Sequence, residues 1–367
     1  MMPTDSVWRN RPDEPYNDLP LLPPRQELET KAVLKVALAA HVALANLRSA
    51  AKQIPNDGIL VRAIALQEAR TSSEIEMIVT TNDALYRALS HDEDSVDPQT
   101  KEVLQYDAAL WLGYYHLRKV GRIDPDLLVR LAQTIAKRPI GIREGFGTRI
   151  GDARTGRVIY TPPVGKDRIL GLLANLCDYW QHDSEVDVLV RMCVGHYQFE
   201  AIHPFPDTNG RVGRVSNILF LNQVGLLDSP ILYLSRPIIE DKATYYQGLR
   251  RVTEQGVWEP WLLYMLGNLE STAVETRRRI EAIDRSIAEA TSLAASGMRK
   301  GFSPELIRLI FTQPYTLISF LEREGIAKRQ TASEYLQELE RLGLVRADKR
   351  GREVYYINDR LLEILSL

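Results

Sequence analysis

Apolar residues along most of this chain recur at three- and four-residue spacings, the period of one face of an α-helix. The pattern predicts helices over Glu27–Gln53, Leu60–Arg70, Pro98–Arg118, Asp124–Lys137, Lys166–His182 and Val186–Ala201. It resumes in RVSNILFLNQVGLL and continues to about residue 298. Asp124-Pro125 reads as a cap and first turn, because Asp accepts from free helical N–H groups and Pro has none to leave unpaired. A Pro55-Asn56-Asp57-Gly58 turn is expected between the first two helices. The texture changes at Pro139: IGIREGFGTRIGDARTGRVIYTPP is dense in Gly with short β-branched runs, which predicts a β-hairpin and its loops. It is the clear β signal before residue 340. The Pro-rich residues 1–26 read as an extended tail over the surface.

Residues 301–367 read as a separate unit. Helical runs at Pro304–Phe311, Thr316–Glu324 and Thr331–Leu342 precede LVRADKRGREVYYIN, two short strands around Lys349-Arg350-Gly351-Arg352. Three helices and a hairpin make a winged helix-turn-helix pattern. Lys328, Arg329, Lys349, Arg350 and Arg352 could contact nucleic-acid phosphates. Five acids, Glu322, Glu324, Glu334, Glu338 and Glu340, dilute that charge. DNA is therefore possible but not favoured, and protein contact or dimerisation is preferred.

The 367 residues allow two or three domains, and a net charge of −2 implies no global pull toward nucleic acid or membrane. Cys177 and Cys193 are the only cysteines, too few for a disulfide framework or a thiolate zinc site. A reducing, cytoplasmic setting is expected. KAVLKVALAAHVALANL, from Lys31, is interrupted by Lys35 and His41 and is not expected to span a bilayer. No secretion signal core is evident in the first 25 residues.

His203–Arg214 reads HPFPDTNGRVGR. An Asn-Gly turn before an apolar helical run offers free N–H groups and the positive end of a helix dipole, which favour an anion. Thr208, Asn209 and Gly210 could form a backbone nest around phosphate oxygens. Arg211 and Arg214 are three apart and share a helix face, which suits a polyphosphate. Asp207 is a hard oxygen ligand for Mg²⁺. His203 titrates near neutrality and can take a proton from an attacking hydroxyl. Together these point to phosphoryl or nucleotidyl transfer. The Walker pattern is absent, and His196 with His203, seven apart with no third partner, makes a weak zinc site.

HPFPDTNGRVGR resembles the signature of the Fic family, HPFx[D/E]GNGRxxR, with Thr208 where Gly is usual. The similarity extends from about residue 20 to 270. The resemblance implies a mainly α fold: a Fic-type helical bundle with a β-hairpin flap, followed by the C-terminal winged helix-turn-helix unit. It implies an N-terminal helical region over 1–120, a catalytic core over 121–275 with the flap at about 145–163, a helical linker over 276–300 and the winged unit over 301–367. The activity implied is transfer of AMP from ATP to a Ser, Thr or Tyr hydroxyl of a target protein or of the chain itself. His203 would be the base and Asp207 the Mg²⁺ ligand. Thr208 to Gly210 would cradle phosphates, Arg211 would support them and Arg214 would bind the γ-phosphate. Val212 and Gly213 fall in the same nucleotide-binding stretch. Tyr245 and Tyr246 match a pair beside the nucleotide, and Arg149, Ile150 and Gly151 would dock the target at the flap.

TSSEIEMIVTTND resembles the family's inhibitory motif, [S/T]xxxE[G/N], with Ser72 and Glu76 in place and Met77 where Gly or Asn is usual. An inhibitory helix is expected over about 71–89, with Glu76 pairing with Arg214. A homodimer is a further expectation. The alternatives are an ATP-sensing transcription regulator, and a Fic enzyme that moves UMP, GMP or phosphocholine or removes AMP.

Overall fold

The helix ends follow local chemistry. A computed structural model describes residues 11–52, 57–89, 96–145, 147–151, 155–182, 185–351 and 353–366, with the backbone alone at 57–61. The N-terminal helices are α1 (Lys31–Lys52), α2 (Asp57–Ile75), α3 (Asn82–Ala88), α4 (Pro98–Val120) and α5 (Pro125–Ala136). Asp97 and Asp124 cap α4 and α5, each accepting from an N–H three residues on, with Pro at the first helical position. Gly121 closes α4 in the left-handed conformation that glycine adopts without a Cβ penalty. Pro55 and Asn56 of the expected turn lie outside the described residues, and Asp57 and Gly58 belong to α2.

Strands β1 (Ile150–Gly151) and β2 (Val158–Tyr160) form the expected antiparallel hairpin, pairing Ile150 with Tyr160 and Gly151 with Val158. Helices α6 (Lys166–His182), α7 (Val188–Ile202), α8 (Asn209–Gln223), α9 (Ser235–Glu240), α10 (Lys242–Gln255) and α11 (Glu259–Gly297) follow. Helix α7 is buried on nearly every side, as a helix apolar all round must be. It packs on α6, α8 and α11 and is the axis of the bundle. Helix α1 lays Val33, Ala37, Ala40, Leu44 and Leu47 along α11. Among the described residues α1 is the one helix long and apolar enough to cross a membrane by length and composition.

The C-terminal unit runs α12 (Pro304–Ile310), β3 (Tyr315–Thr316), α13 (Ile318–Arg323), α14 (Arg329–Arg341), β4 (Arg346–Arg350), β5 (Glu353–Ile357) and α15 (Asp359–Ser366). Its sheet is antiparallel in the order β3-β5-β4.

Four differences from the sequence reading bear on function. The segment 71–89 is two helices, because α2 stops at Ile75 and α3 starts after the Thr81 cap. Residues 276–297, expected as a helical linker, are helical but run on without a break from Glu259 as the second half of α11, and the buried Arg279, Ile280, Ile283, Ala290 and Ala294 continue the stripe that faces α1 and α15. Thr316 is in a strand, hydrogen-bonded opposite Tyr356, so the helical run begins at Ile318. The Pro-rich stretch is strapped down from residue 11 onward. Tyr16, Leu19 and Leu22 are buried. The side chains of Asn175 and Gln198 satisfy the backbone at Leu22 and Pro20, replacing the sheet partners this extended chain lacks.

The C-terminal unit docks on α3. Tyr315 donates to Asp83 at 2.7 Å and stacks on Tyr86. Asp348 lies 3.8 Å from Arg87, and Asn82 donates to Ser366. Of the basic residues that might have met DNA, Arg350 pairs with Asp348, and Arg352 lies outside the described residues.

Candidate active site

The turn between α7 and α8 builds the site. His203 ends α7 at φ 47°, its N–H donating to Phe199. Arg143, which the sequence reading did not single out, pins this turn. Its Nε donates to the His203 carbonyl at 2.7 Å and its Nη2 to that of Ile202 at 3.0 Å. The Asn209 side chain closes the loop by accepting from the Phe205 N–H and donating to the Phe205 carbonyl. Thr208 stands at φ 71° with no side-chain cap on α8. This is a backbone that glycine favours and a β-branched residue resists, so the position does require the positive φ that Gly supplies in the family signature.

A cavity of about 640 Å³ opens beside the turn. His203, Gly210 and Arg214 line it with Glu76, Tyr245 and Tyr246. Flap residues Ile150, Gly151 and Tyr160 cover one side, and Arg11 of the N-terminal strap reaches another. Tyr160 ties the flap to α7 by donating to the Ala201 carbonyl at 2.7 Å. Tyr246 is half exposed, while Tyr245 is buried behind it and bonded to His196 Nε2 at 2.8 Å.

Burial, helped by the Arg143 cation, pulls the His203 imidazole down to about 4. His203 is therefore neutral at pH 7, the form that can accept a proton.

Arg214 is 1% exposed, and its Nε and Nη2 are both engaged. Its Nε donates to Ser72 Oγ at 2.8 Å, and its Nη2 to the Ser72 carbonyl at 3.0 Å and to Glu76 Oε1 at 2.8 Å. Burial pushes the Glu76 carboxyl up, but Arg214, then Arg211 and His203, more than offset it and hold it below the usual range. Gly210 makes this approach possible, since a Cβ there would stand 2.3 Å from Glu76 Oε1. Glu76 caps the C-terminal end of α2. Ile78 N–H bonds the Ser73 carbonyl and Met77 N–H that of Glu74, while Met77 takes φ 67°. That is a Schellman closure, whose left-handed residue is usually Gly or Asn. Lys242 Nζ caps the Ile75 carbonyl at 3.0 Å from α10.

Other expected site residues sit apart from the cavity lining. Arg211 is buried with its Nη1 on Glu102 of α4 at 3.2 Å. Val212 is packed in the core, and Gly213 lies against Phe199 and Glu200. Arg149 is exposed beside the flap. Asp207 is 55% exposed, its Oδ1 accepting from the Thr208 N–H and its Oδ2 3.5 Å from Arg138. Such an open carboxylate suits Mg²⁺ held jointly with phosphate oxygens. Among the described residues no cluster of three or more His, Cys, Asp or Glu could hold a metal alone. Of the residues the sequence reading passed over, Glu200 had a signal: it is the one acid in the apolar α7 segment.

Comparison with known families decides the fold. Residues 34–115 match the Fic/DOC family N-terminal domain and residues 122–221 the Fic/DOC family domain. The chain belongs to the Fic family. Residues 288–361 match the C-terminal domain of SoFic-like protein adenylyltransferases. A Fic family protein from Desulfovibrio desulfuricans G20 superposes with a TM-score of 0.59 at 20% identity, over 91% of this chain and 98% of that one. Fic-1 from C. elegans (aa134–508) superposes at 0.52 with 22% identity, over 69% of this chain and 74% of that one. In sequence, a probable protein adenylyltransferase of Aquifex aeolicus is 33% identical over 89 residues, 23% of this chain and 28% of that protein. Protein adenylyltransferase fic-1 of Caenorhabditis briggsae is 30% identical over 112 residues, 30% of this chain and 21% of that protein. The matched region thus spans about a quarter of these curated relatives.

Proposed function

We propose that this chain is a protein adenylyltransferase that moves AMP from ATP to a hydroxyl side chain of a target protein, held off by Glu76. The observation that carries this reading is one cavity, beside a β-hairpin, lined by both a neutral histidine and an arginine already occupied by a carboxylate. His203 takes the proton of the target hydroxyl as its oxygen bonds to the α-phosphorus. The bond to the bridging oxygen breaks and pyrophosphate leaves. Amides at the start of α8 point at the phosphates, and Arg214 takes the γ-phosphate once Glu76 moves away. Asp207 would hold Mg²⁺, which when bound neutralises phosphate charge. Catalysis is mainly positioning and charge stabilisation. The edge of β1 offers backbone groups to an extended target segment, so strand addition presents the hydroxyl. The named activity of the relatives supports AMP as the group moved.

The test is labelling by ATP carrying α-³²P, with Mg²⁺. The unchanged chain, Glu76→Gly and Glu76→Gly with His203→Ala are compared. Covalent label on protein in the Glu76→Gly sample that vanishes with His203→Ala is expected. Tight ATP binding with no transfer to the chain or to lysate proteins would refute the transferase reading.

A further inference from the structure

Glu200 is a buried acid that the scheme above leaves unused. It lies on the last turn of α7, one turn before His203, and lines the same cavity. Its Oε1 is buried without a hydrogen-bond partner. Space is kept for this oxygen, since a Cβ at Gly213 would stand 2.6 Å from it. Leaving a buried carboxyl oxygen unpaired costs about 1–3 kcal/mol, so such an atom calls for a ligand or another role.

The groups facing it say what kind. From α8 it meets Arg214, from the end of α2 Glu76, from α10 Tyr245 and Tyr246. His196 and His203 flank it on and just beyond its own helix. Arg214 is the one cation in that set whose charge could hold Glu200 ionised, and Glu76 and Ser72 already take it. Burial then dominates and pushes the Glu200 carboxyl up to about 7. A protonated carboxylic acid is a donor. A donor facing a cavity whose cation awaits a polyanion fits a phosphate oxygen.

We propose that Glu200 is a further nucleotide-contacting residue, its carboxyl donating a hydrogen bond to a terminal phosphate oxygen of the bound triphosphate. This rests on the nucleotide reading of the cavity. It adds a consequence that reading lacks. An arriving polyanion raises the proton affinity of a neighbouring acid, so the complex takes up a proton whenever free Glu200 is ionised. Affinity for MgATP then falls as pH rises through and above neutrality. Removing Glu76 takes away a charge that helps keep Glu200 protonated, so Glu200 titrates no higher in Glu76→Gly than in the unchanged chain; from pH 6 to 8.5 the loss is then at least about 30-fold, because an acid titrating near 7 already retains its proton in only about 3% of molecules at pH 8.5.

The experiment is calorimetric titration of full-length Glu76→Gly with MgATP at pH 6, 7, 8 and 8.5, in buffers of different ionisation enthalpy, beside Glu76→Gly/Glu200→Gln. Gln offers an N–H in place of the O–H and does not titrate. The expected result is uptake of close to one proton at pH 8 and that loss of affinity in the first protein, and a flat profile with no uptake in the second. Zero uptake at pH 8 in Glu76→Gly itself overturns the proposal whatever Glu200→Gln does, and so do parallel profiles. Absence of MgATP binding at every pH overturns the nucleotide reading, and the proposal with it.

Discussion

Glu76→Gly in the full chain removes the carboxylate from Arg214 and leaves the two Ser72 contacts in place. A charged hydrogen bond of this geometry contributes about 1.5–3 kcal/mol. The Glu76 side chain is 37% exposed, so solvent screening places the value toward the lower end, about 1.5–2 kcal/mol. At 1.4 kcal/mol per decade, a γ-phosphate that must displace Glu76 binds productively about 10- to 30-fold less often. Initial rates of label transfer at subsaturating MgATP should therefore rise by at least about 10-fold in Glu76→Gly. The same change should lower the thermal midpoint without nucleotide, and MgATP at 100 times its Kd should return about 2.7 kcal/mol of stability. The unchanged chain should show little nucleotide-induced shift. Equal transfer rates and equal nucleotide-induced shifts in the two proteins would refute the reasoning, because Arg214 would then be open to phosphate with Glu76 in place.

Met77→Gly relieves a φ of 67° and should stabilise the chain by about 1 kcal/mol while lowering residual transfer, since the closure that presents Glu76 is held better; a lower melting temperature would count against it. Thr208→Gly relieves a φ of 71° and should stabilise the chain by about 1 kcal/mol with little change in the MgATP affinity of Glu76→Gly; an unchanged or lower melting temperature would count against it. Burial and Arg143 hold His203 at about 4, below its ordinary value, so it is already neutral as pH rises past 5; transfer by Glu76→Gly at subsaturating MgATP, which reports the nucleotide-free enzyme, should show an acid limb centred nearer 4 than 6.5, and a midpoint near 6.5 would mean the imidazole is not buried. Tyr315→Phe deletes the 2.7 Å bond to Asp83 and should cost about 1 kcal/mol and speed amide exchange over residues 76–81; unchanged exchange there would show that the C-terminal unit does not brace the segment after Glu76.

Local rules made much of this legible. Asp97, Asp124 and Ser303 cap helices as Asp-Pro and Ser-Pro pairs do. The spacing inside HPFPDTNGRVGR did bring His203, Gly210 and Arg214 to one cavity. What stayed hidden is non-local. Arg143 sits in a Gly-rich loop with no pattern to mark it, and it matters because it meets carbonyls about 60 residues away. The spacing of Arg211 and Arg214 puts both on α8 but cannot say that Glu102, from another helix, already holds Arg211. The strap over residues 11–22 reads as tail because its partners, Thr161, Asn175 and Gln198, lie far along the chain.

Both departures from the family pattern fall on left-handed backbone. Met77 and Thr208 are two of the four described non-glycine residues with positive φ, His203 and Lys137 being the others. One follows the carboxylate that blocks Arg214; the other precedes the helix whose amides would meet phosphate. Each side chain costs about 1–2 kcal/mol relative to the glycine usual there. The first cost weakens the blocked state, in which Glu76 must be presented from a closed α2 end. The second is carried by the blocked form itself, which holds Thr208 at φ 71° beside the Glu76–Arg214 pair. A phosphate cradle that needs the same Thr208 conformation carries the same cost, so that strain lowers overall stability and leaves the balance between blocked and open forms unchanged. Restoring one glycine at a time separates the two: Met77→Gly should move the balance toward Glu76–Arg214, Thr208→Gly should raise stability without moving it, and the double variant should balance as Met77→Gly does.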